Sequence, residues 1–182
     1  YPLKTDKAFI NTLEDVICKR GAMEKLISDG ARVQISNRVK DLLRALLIDD
    51  WQSEPHQQQQ IFAECKYRDL KRKVNYVMNR SGAEPNEWLL VLQYVCYILN
   101  HTALESLSWR TPLEVLHGST PDISIIYQLF YRERVYFRQT EGGYPSDSNK
   151  EAGYFVGFAE NVGHQFTFKI LTDKHTIVHR SR

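Results

Sequence analysis

Cysteine is scarce in this chain of 182 residues, and the three that occur, Cys18, Cys65 and Cys96, are widely spaced. Each lies in an apolar helical pattern, so we expect reduced, buried thiols and no disulfide framework, which is typical of proteins from the cell interior. The six histidines are never paired with these cysteines at the spacing of zinc ligands. This excludes a cysteine–histidine zinc module from the sequence.

Long apolar runs and a strong excess of one charge are also lacking. Stretches such as 88–91 are far shorter than the roughly 20 residues that cross a bilayer, and there is no signal-peptide pattern. With 24 basic and 22 acidic residues the net charge is +2, so any nucleic-acid site must come from local clustering of cations. The composition, 42% hydrophobic and 25% charged, favours a folded protein of one domain or two small ones.

Helices and strands alternate in the first two thirds of the chain. Thr5 is a good residue to cap the first helix, and Gly21 stands where a terminating glycine belongs. This alternation predicts an α/β sheet domain closed by two helices. The predicted elements are a helix over 5–21, strands over 23–28 and 47–51, and helices over 39–47, 58–80 and 86–103.

From Pro121 onward the pattern changes to short runs of β-forming residues separated by turn signals. We predict a small antiparallel barrel that follows a link over residues 117–122, with its tyrosines mostly in the interior. Trp88 and Trp109 are assigned to core packing. The predicted strands cover 131–137, 153–158, 165–171 and 176–179, with turns at 142–145 and 161–163.

Two acidic residues are the candidates for metal chemistry. Asp29 follows a predicted buried strand, and Glu64 lies on the long predicted helix. Helical periodicity places Glu64 on one polar flank with Arg68 and Lys71, as a DNA-cutting helix needs, because an acid holds a divalent metal ion and cations meet phosphate. Two plainer interpretations stay open. Glu64 with Arg68 is also an ordinary exposed ion pair, and Asp29 before Gly30 is also a turn former.

Four ordered motifs resemble those of copia-type LTR retrotransposon integrases, whose catalytic core is similar to that of retroviral integrases. The first is similar to the family's second-aspartate motif, and the second to the signature around its catalytic glutamate. The third resembles the end of the integrase domain, and the fourth the SH3-like segment that follows it in the Pol polyprotein. In this sequence they read Leu-Ile-Ser-Asp-Gly-Ala (26–31), Pro-His-Gln-Gln-Gln-Gln-Ile-Phe-Ala-Glu (55–64), Asn-His (100–101) with Thr-Pro-Leu-Glu (111–114), and Gly-Tyr-Phe-Val-Gly-Phe (153–158).

The resemblance implies an α/β fold in two domains. Residues 1–118 are expected to form a truncated ribonuclease H-like integrase core, and residues 119–182 a small SH3-like β-barrel. The implied activity is DNA integration by metal-dependent 3′-end processing and strand transfer, a polynucleotidyl transfer of the type that three acidic residues support. The first of those acids is expected upstream of Tyr1, so we expect the isolated chain to bind DNA weakly and to cut none.

The same resemblance assigns roles to particular residues. Asp29 and Glu64 are the expected catalytic residues and the ligands of Mg²⁺ or Mn²⁺. The implied partners are the element's DNA ends and target DNA, with a homo-oligomer in the full-length protein, no membrane, and a location in the nucleus or in a cytoplasmic virus-like particle. The residues expected to contact DNA are Gln57, Gln60, Arg68, Lys71 and Arg72.

Three hypotheses therefore compete. The chain is an integrase region of a larger polyprotein, a non-catalytic nucleic-acid-binding module, or a decayed element fragment without activity. The acids Asp29 and Glu64 separate the first two, because binding alone needs cations but no paired carboxylates.

Overall fold

A computed structural model describes residues 5–28, 31–32, 34–53, 62–138, 150–160, 162–164 and 166–181. The helices in this part of the chain are α1 (Asp6–Arg20), α2 (Asn37–Ala45), α3 (Phe62–Ser81), α4 (Trp88–Asn100) and α5 (Pro112–His117). The strands are β1 (Lys25–Ser28), β2 (Asp49–Gln52), β3 (Arg134–Arg138), β4 (Lys150–Phe158), β5 (Thr167–Thr172) and β6 (Ile177–Ser181). The chain divides into two compact units, residues 1–68 and residues 69–182.

The described part of the first unit is a helix followed by a β-α-β arrangement. Thr5 caps α1, because its hydroxyl oxygen accepts a hydrogen bond from the Ala8 N–H at 3.2 Å. Gly21 ends the helix with a positive φ of 87° that glycine adopts without strain. Strands β1 and β2 run parallel, so α2 is the crossover between them.

The core of the first unit is formed by both helices and the strands that they cover. Val39 and Leu43 of α2 are 0% and 2% exposed, because they lie four residues apart on one side of the helix. Leu26 of β1 packs on the same cluster, whereas its neighbour Ile27 is 47% exposed. The sheet therefore has one covered side and one open side among the described residues.

The second unit combines α4 with a four-stranded antiparallel sheet in the order β3-β4-β5-β6. Gly153 of β4 allows β5 to approach closely, since a Cβ at this position would lie 2.6 Å from Ile170 and 2.7 Å from the Leu171 carbonyl oxygen. A β-bulge between Phe155 and Gly157 shifts the register of β4 against β5.

Helix α4 and the sheet share one hydrophobic core. The Tyr94 ring of α4 lies 6.1 Å from Phe155 and 6.1 Å from Phe158, both on β4. Tyr97 stacks on Phe158 at 4.4 Å, and Phe155 is fully buried. The sheet is therefore packed against α4, while the domain boundary expected between residues 118 and 119 stays a prediction.

A clamp centred on Arg132 joins the end of α3 to the start of the sheet. The guanidinium hydrogen-bonds to the Gly82 carbonyl oxygen and lies 3.4 Å from Glu87 and 3.5 Å from Glu84. The Tyr131 hydroxyl donates to Glu87 at 3.4 Å. Glu87 is only 5% exposed, so its carboxylate depends on these partners for the hydrogen bonds that water would otherwise supply.

The elements agree with the sequence pattern to within a few residues wherever the structure describes them. The strand predicted over 47–51 is β2, which begins two residues later, and the helix predicted over 86–103 is α4 preceded by a 3-10 turn over Pro85–Glu87. The turn predicted at 142–145 lies outside the described residues. Among those that are described, no helix is long and apolar enough to cross a membrane.

The prediction that the cysteines are buried is wrong for two of the three. Cys18 and Cys65 are exposed and Cys96 is half-buried, and all three are free thiols. On α1, Cys18 is turned about 140° around the helix from the buried Leu13, so it faces away from the core. Cys65 follows Glu64 on the exposed first turn of α3.

The aromatic assignments are also corrected. Trp88 is 54% exposed, although Leu90 and Val91 of the same turn of α4 pack in the core, and Trp109 is 72% exposed in a turn with φ of 61°. Tyr131 is interior as expected, but Tyr127 and Tyr136 are 79% and 73% exposed.

Burial of tyrosine in the second unit predicts sensitivity to alkali. Burial raises the pKa of Tyr94, Tyr97 and Tyr131 above the usual value. Above about pH 10 only the unfolded state loses these protons, so the free energy of unfolding should fall as pH rises. Urea unfolding between pH 9 and 11 measures this slope. Tyr131→Phe should flatten the slope.

Candidate nucleic-acid and metal site

The candidate site begins at the C-terminal end of β1. Ser28 is 6% exposed, and its carbonyl oxygen accepts hydrogen bonds from the Ser53 N–H at 2.9 Å and from the Ser53 hydroxyl at 3.3 Å. These bonds fix the end of the strand beside the residue that follows β2. Asp29, the next residue along the chain, lies outside the described residues, so its distance from Glu64 stays a prediction.

Glu64 lies in the first turn of α3 and its side chain is exposed. An acid at this position is favourable with the helix dipole, which gives Glu64 a structural role of its own. Glu64 and Arg68 are four residues apart, yet these two described side chains form no ion pair. The plain interpretation of Glu64 as half of that ion pair therefore does not apply in this structure.

The cations of α3 follow the spacing that the sequence indicates. Arg68 and Lys71 are exposed and lie four and seven residues after Glu64, which places all three on one side of the helix. Arg72 is exposed too, further round the helix, and its guanidinium lies 3.9 Å from the Asp69 carboxylate. The remaining two residues predicted to contact DNA, Gln57 and Gln60, lie outside the described residues.

An apolar stripe packs in the core along the second half of α3 only. Val74 is 7% exposed, and Leu70 and Val77 pack beside it in the core of the second unit. In the first half Tyr67 is 53% exposed, and Ala63 is exposed as well. The turn that carries Glu64 thus has solvent access on its apolar flank as well as on its polar flank.

This arrangement offers hard oxygen ligands beside a basic helix. A carboxylate such as Glu64 suits Mg²⁺ or Mn²⁺, and exposed arginine and lysine suit phosphate. Helix α3 carries six basic and two acidic residues, which gives it a local positive charge that the net charge of the chain does not reveal. Within the described ranges no group of three or more histidine, cysteine or acidic side chains is placed to hold a metal ion.

One set of exposed residues was not recognised in the sequence. Arg134, Tyr136 and Arg138 alternate along β3 and all face solvent. The strand pattern indicates this face, because a strand that alternates apolar residues with charged or aromatic ones displays the charged and aromatic side chains on its open face. The alternation places Tyr136 on the same face as Arg134 and Arg138, but it does not show how much of the ring a neighbouring strand covers.

No family model and no curated protein sequence matches this chain. Among solved structures, a chain of the simian T-cell lymphotropic virus intasome, determined in complex with the PP2A regulatory subunit B56 gamma, is similar with a TM-score of 0.51 and 13% identity. The match covers 98% of this chain and 62% of that one. The catalytic core domain of HTLV-2 integrase, solved with magnesium in a trimeric form, has a TM-score of 0.49 and 14% identity, over 62% of this chain and 70% of that one.

At 13% identity the likeness to the intasome chain establishes the fold alone. This chain spans 62% of the length of that structure, and the likeness extends over both compact units. The predicted fold class is confirmed at this level: the chain is a mixed α/β protein with a four-stranded antiparallel sheet in its C-terminal part, and it shares its fold with the intasome chain.

Proposed function

We propose that this chain is an integrase region of a copia-type retrotransposon Pol polyprotein, which joins the element's DNA to target DNA by metal-dependent polynucleotidyl transfer. The observation that carries the proposal is Glu64, an exposed carboxylate that leaves the neighbouring Arg68 unpaired with it, on the most basic helix of the described chain. The ordered sequence motifs and the fold that the chain shares with an intasome chain support it.

The proposed metal ligands are Asp29 and Glu64. Asp29 follows the buried end of β1, and Glu64 stands in the exposed first turn of α3. Their carboxylate oxygens are the ligand type that Mg²⁺ and Mn²⁺ prefer. Such a metal ion, when bound, activates the attacking oxygen and neutralises charge on the phosphate. The residues of the chain hold and orient the ion.

DNA contact is proposed along the same side of α3. Arg68 and Lys71 would meet phosphate oxygens, with Arg72 further round the helix and with Gln57 and Gln60 before it. Cations in a row neutralise successive phosphates, so binding should weaken steeply as salt concentration rises. Such contacts position the backbone of the nucleic acid and carry no base specificity.

Residues 119–182, which include the antiparallel sheet, are proposed to be the SH3-like segment of the Pol polyprotein, and the full-length protein is proposed to act as a homo-oligomer on the element's DNA ends. The expected locations are the nucleus and cytoplasmic virus-like particles.

The excess of cations on α3 also suits a non-catalytic nucleic-acid-binding module, which is the second candidate function. The two differ in whether Glu64 holds metal.

Glu64→Gln should weaken Mn²⁺ binding by at least about tenfold, because loss of groups that only support a metal ligand already costs about 10- to 100-fold. Titration of free Mn²⁺ by electron paramagnetic resonance measures the affinity. Glu14→Gln, which removes an equally exposed helical carboxylate from α1, is the matched control and should leave the affinity unchanged. Duplex DNA binding and its salt dependence should survive the Glu64 change.

Equal Mn²⁺ affinity in the Glu64→Gln and Glu14→Gln proteins would show that Glu64 is not a ligand of the metal ion. If salt-sensitive DNA binding persisted in that case, the non-catalytic binding module would be the better description. A chain that bound neither metal nor DNA would fit a decayed element fragment.

A further inference from the structure

The outer face of β3 carries a row of three residues, Arg134, Tyr136 and Arg138, which we call the β3 row. All three are exposed, and Tyr136 is 73% exposed, while the alternate residue Phe137 is 7% exposed in the core. Strand geometry places the two arginines about 13 Å apart with the tyrosine ring midway. β3 is an edge strand in the hydrogen-bonded order of its sheet, and the Arg180 guanidinium of β6 reaches it by donating to the Arg138 carbonyl oxygen at 3.3 Å.

The strand beside the row explains why the Tyr136 ring is uncovered. Residues directly opposite each other in an antiparallel pair share one face, and the partner of Tyr136 is Ala152, whose methyl group covers little of an aromatic ring. The partner of Arg134 is Tyr154, and that of Arg138 is Lys150. The face therefore adds a further cation and a second aromatic ring to the row.

The two tyrosines of this face differ in what they contact. The Tyr154 ring lies 5.5 Å from the guanidinium groups of both Arg132 and Arg134, and its hydroxyl accepts a hydrogen bond from Arg134 at 3.1 Å. Hydrogen bonding to Tyr154, and then to Tyr136, raises the pKa of Arg134, with a smaller contribution from the charge of Asp173. Arg134 is thus held in place beside Tyr136, whose own ring face is left for a ligand.

A cation, an open aromatic ring and a second cation in line suit one class of partner. Single-stranded nucleic acid presents a base that stacks on the ring and phosphates on either side that meet the arginines. In a duplex the base faces are already stacked on their neighbours, so no base is free to stack on the Tyr136 ring. An acidic peptide would satisfy the arginines and leave the tyrosine unused.

We propose that the β3 row binds single-stranded nucleic acid, with one base stacked on Tyr136 and phosphates at Arg134 and Arg138. The proposal goes beyond the integrase function, because it uses none of the residues assigned to metal or to duplex DNA. The plainer explanation is that arginines on an edge strand prevent pairing with another sheet. That explanation accounts for the arginines but not for an exposed tyrosine between them.

Fluorescence anisotropy of the full chain tests the proposal with a labelled mixed-sequence 12-nucleotide strand, alone and annealed to its complement. Tyr136→Ala should weaken binding of the single strand about tenfold, within the range that one stacked base contributes, and leave the duplex affinity unchanged. Tyr136→Phe should keep the affinity. The matched control is Tyr127→Ala, which removes a tyrosine that is 79% exposed outside the row. Arg138→Ala should lower the salt slope for the single strand by about 0.7.

Three results would overturn the proposal: equal single-strand affinity in the Tyr136→Ala and Tyr127→Ala proteins, a loss of duplex affinity as large as the loss for the single strand, or competition by polyglutamate as effective as that by an unlabelled strand. The last would identify an acidic protein surface as the partner. The experiment contains no divalent metal, and Glu64→Gln should leave its outcome unchanged. Failure of the integrase proposal would therefore not affect it.

Discussion

Phe155→Ala should lower the free energy of unfolding of the second unit by about 3–5 kcal/mol, the range found when a buried phenylalanine is truncated. Phe155 is 0% exposed and lies at the centre of the core. Its ring contacts Phe158 at 5.1 Å, Phe168 at 5.7 Å and Tyr94 of α4 at 6.1 Å. Neighbours from α4, β4 and β5 cannot all collapse into the space that the ring leaves, so most of the cavity would remain.

Urea unfolding followed by circular dichroism and by tyrosine fluorescence measures this effect. Phe130→Ala is the control, because a side chain that is 73% exposed should change the free energy of unfolding by no more than about 0.5 kcal/mol. The two probes should report one transition, since α4 and the sheet share the core around Phe155. A loss below about 1 kcal/mol, or separate transitions for helix and sheet, would contradict a shared core.

Periodicity was enough to find most of the elements. The alternation in β3 and β5 and the helical spacing of Val39 and Leu43 each have one face that must be buried, and the structure buries that face. Element boundaries move by a few residues because caps and turns decide them, as Thr5 and Gly21 do for α1. Local patterns therefore predict the elements well and their ends less well.

Exposure was predicted less successfully where it depends on distant residues. The tyrosines of this segment were expected mostly in the interior, but Ala152 opposite Tyr136 and the edge position of β3 leave the Tyr136 ring open. Neither fact can be read from the sequence near Tyr136, because register joins residues far apart in the chain. Cys18 was misjudged for a related reason: an apolar neighbourhood does not tell which side of a helix meets the core.

At the candidate site, too, the sequence predicted the positions of the residues along the helix but not the contacts of their side chains. Spacing along α3 correctly placed Glu64, Arg68 and Lys71 on one exposed side. It could not tell whether Glu64 would pair with Arg68, since an ion pair four residues apart on a solvated helix is worth only a few tenths of a kcal/mol. With so small an energy, the rotamers of the two side chains decide whether the ion pair forms. The role of Asp29 rests on the motif around it, because that residue lies outside the described part of the chain.

The second large effect is expected at the clamp on Arg132, where the Arg132→Ala protein should lose about 3–5 kcal/mol of unfolding free energy, the cost of removing one partner of a buried ion pair. The side chain of Arg132 is 20% exposed and that of Glu87 is 6% exposed, so without the guanidinium the Glu87 carboxylate loses its ion pair in a site with little water. Only the Tyr131 hydroxyl would still hydrogen-bond to it among the described partners. Arg132 has a φ of 63°, and alanine keeps the Cβ, so backbone strain is the same in both proteins.

Variants of the acidic partners distinguish the buried ion pair of Arg132 with Glu87 from its exposed ion pair with Glu84 in the same urea experiment. Glu84→Gln should cost less than about 1 kcal/mol, because the Glu84 side chain is 50% exposed and water replaces its ion pair with Arg132. Replacing Arg132 and Glu87 together with methionine should recover much of the loss, since no charge is then left buried. If Arg132→Ala cost no more than Glu84→Gln, the stabilising contact would be the surface pair and not the buried one. The connection between α3 and the sheet would then depend on the apolar cluster in which Val74 of α3 is buried together with Tyr131 and Val156.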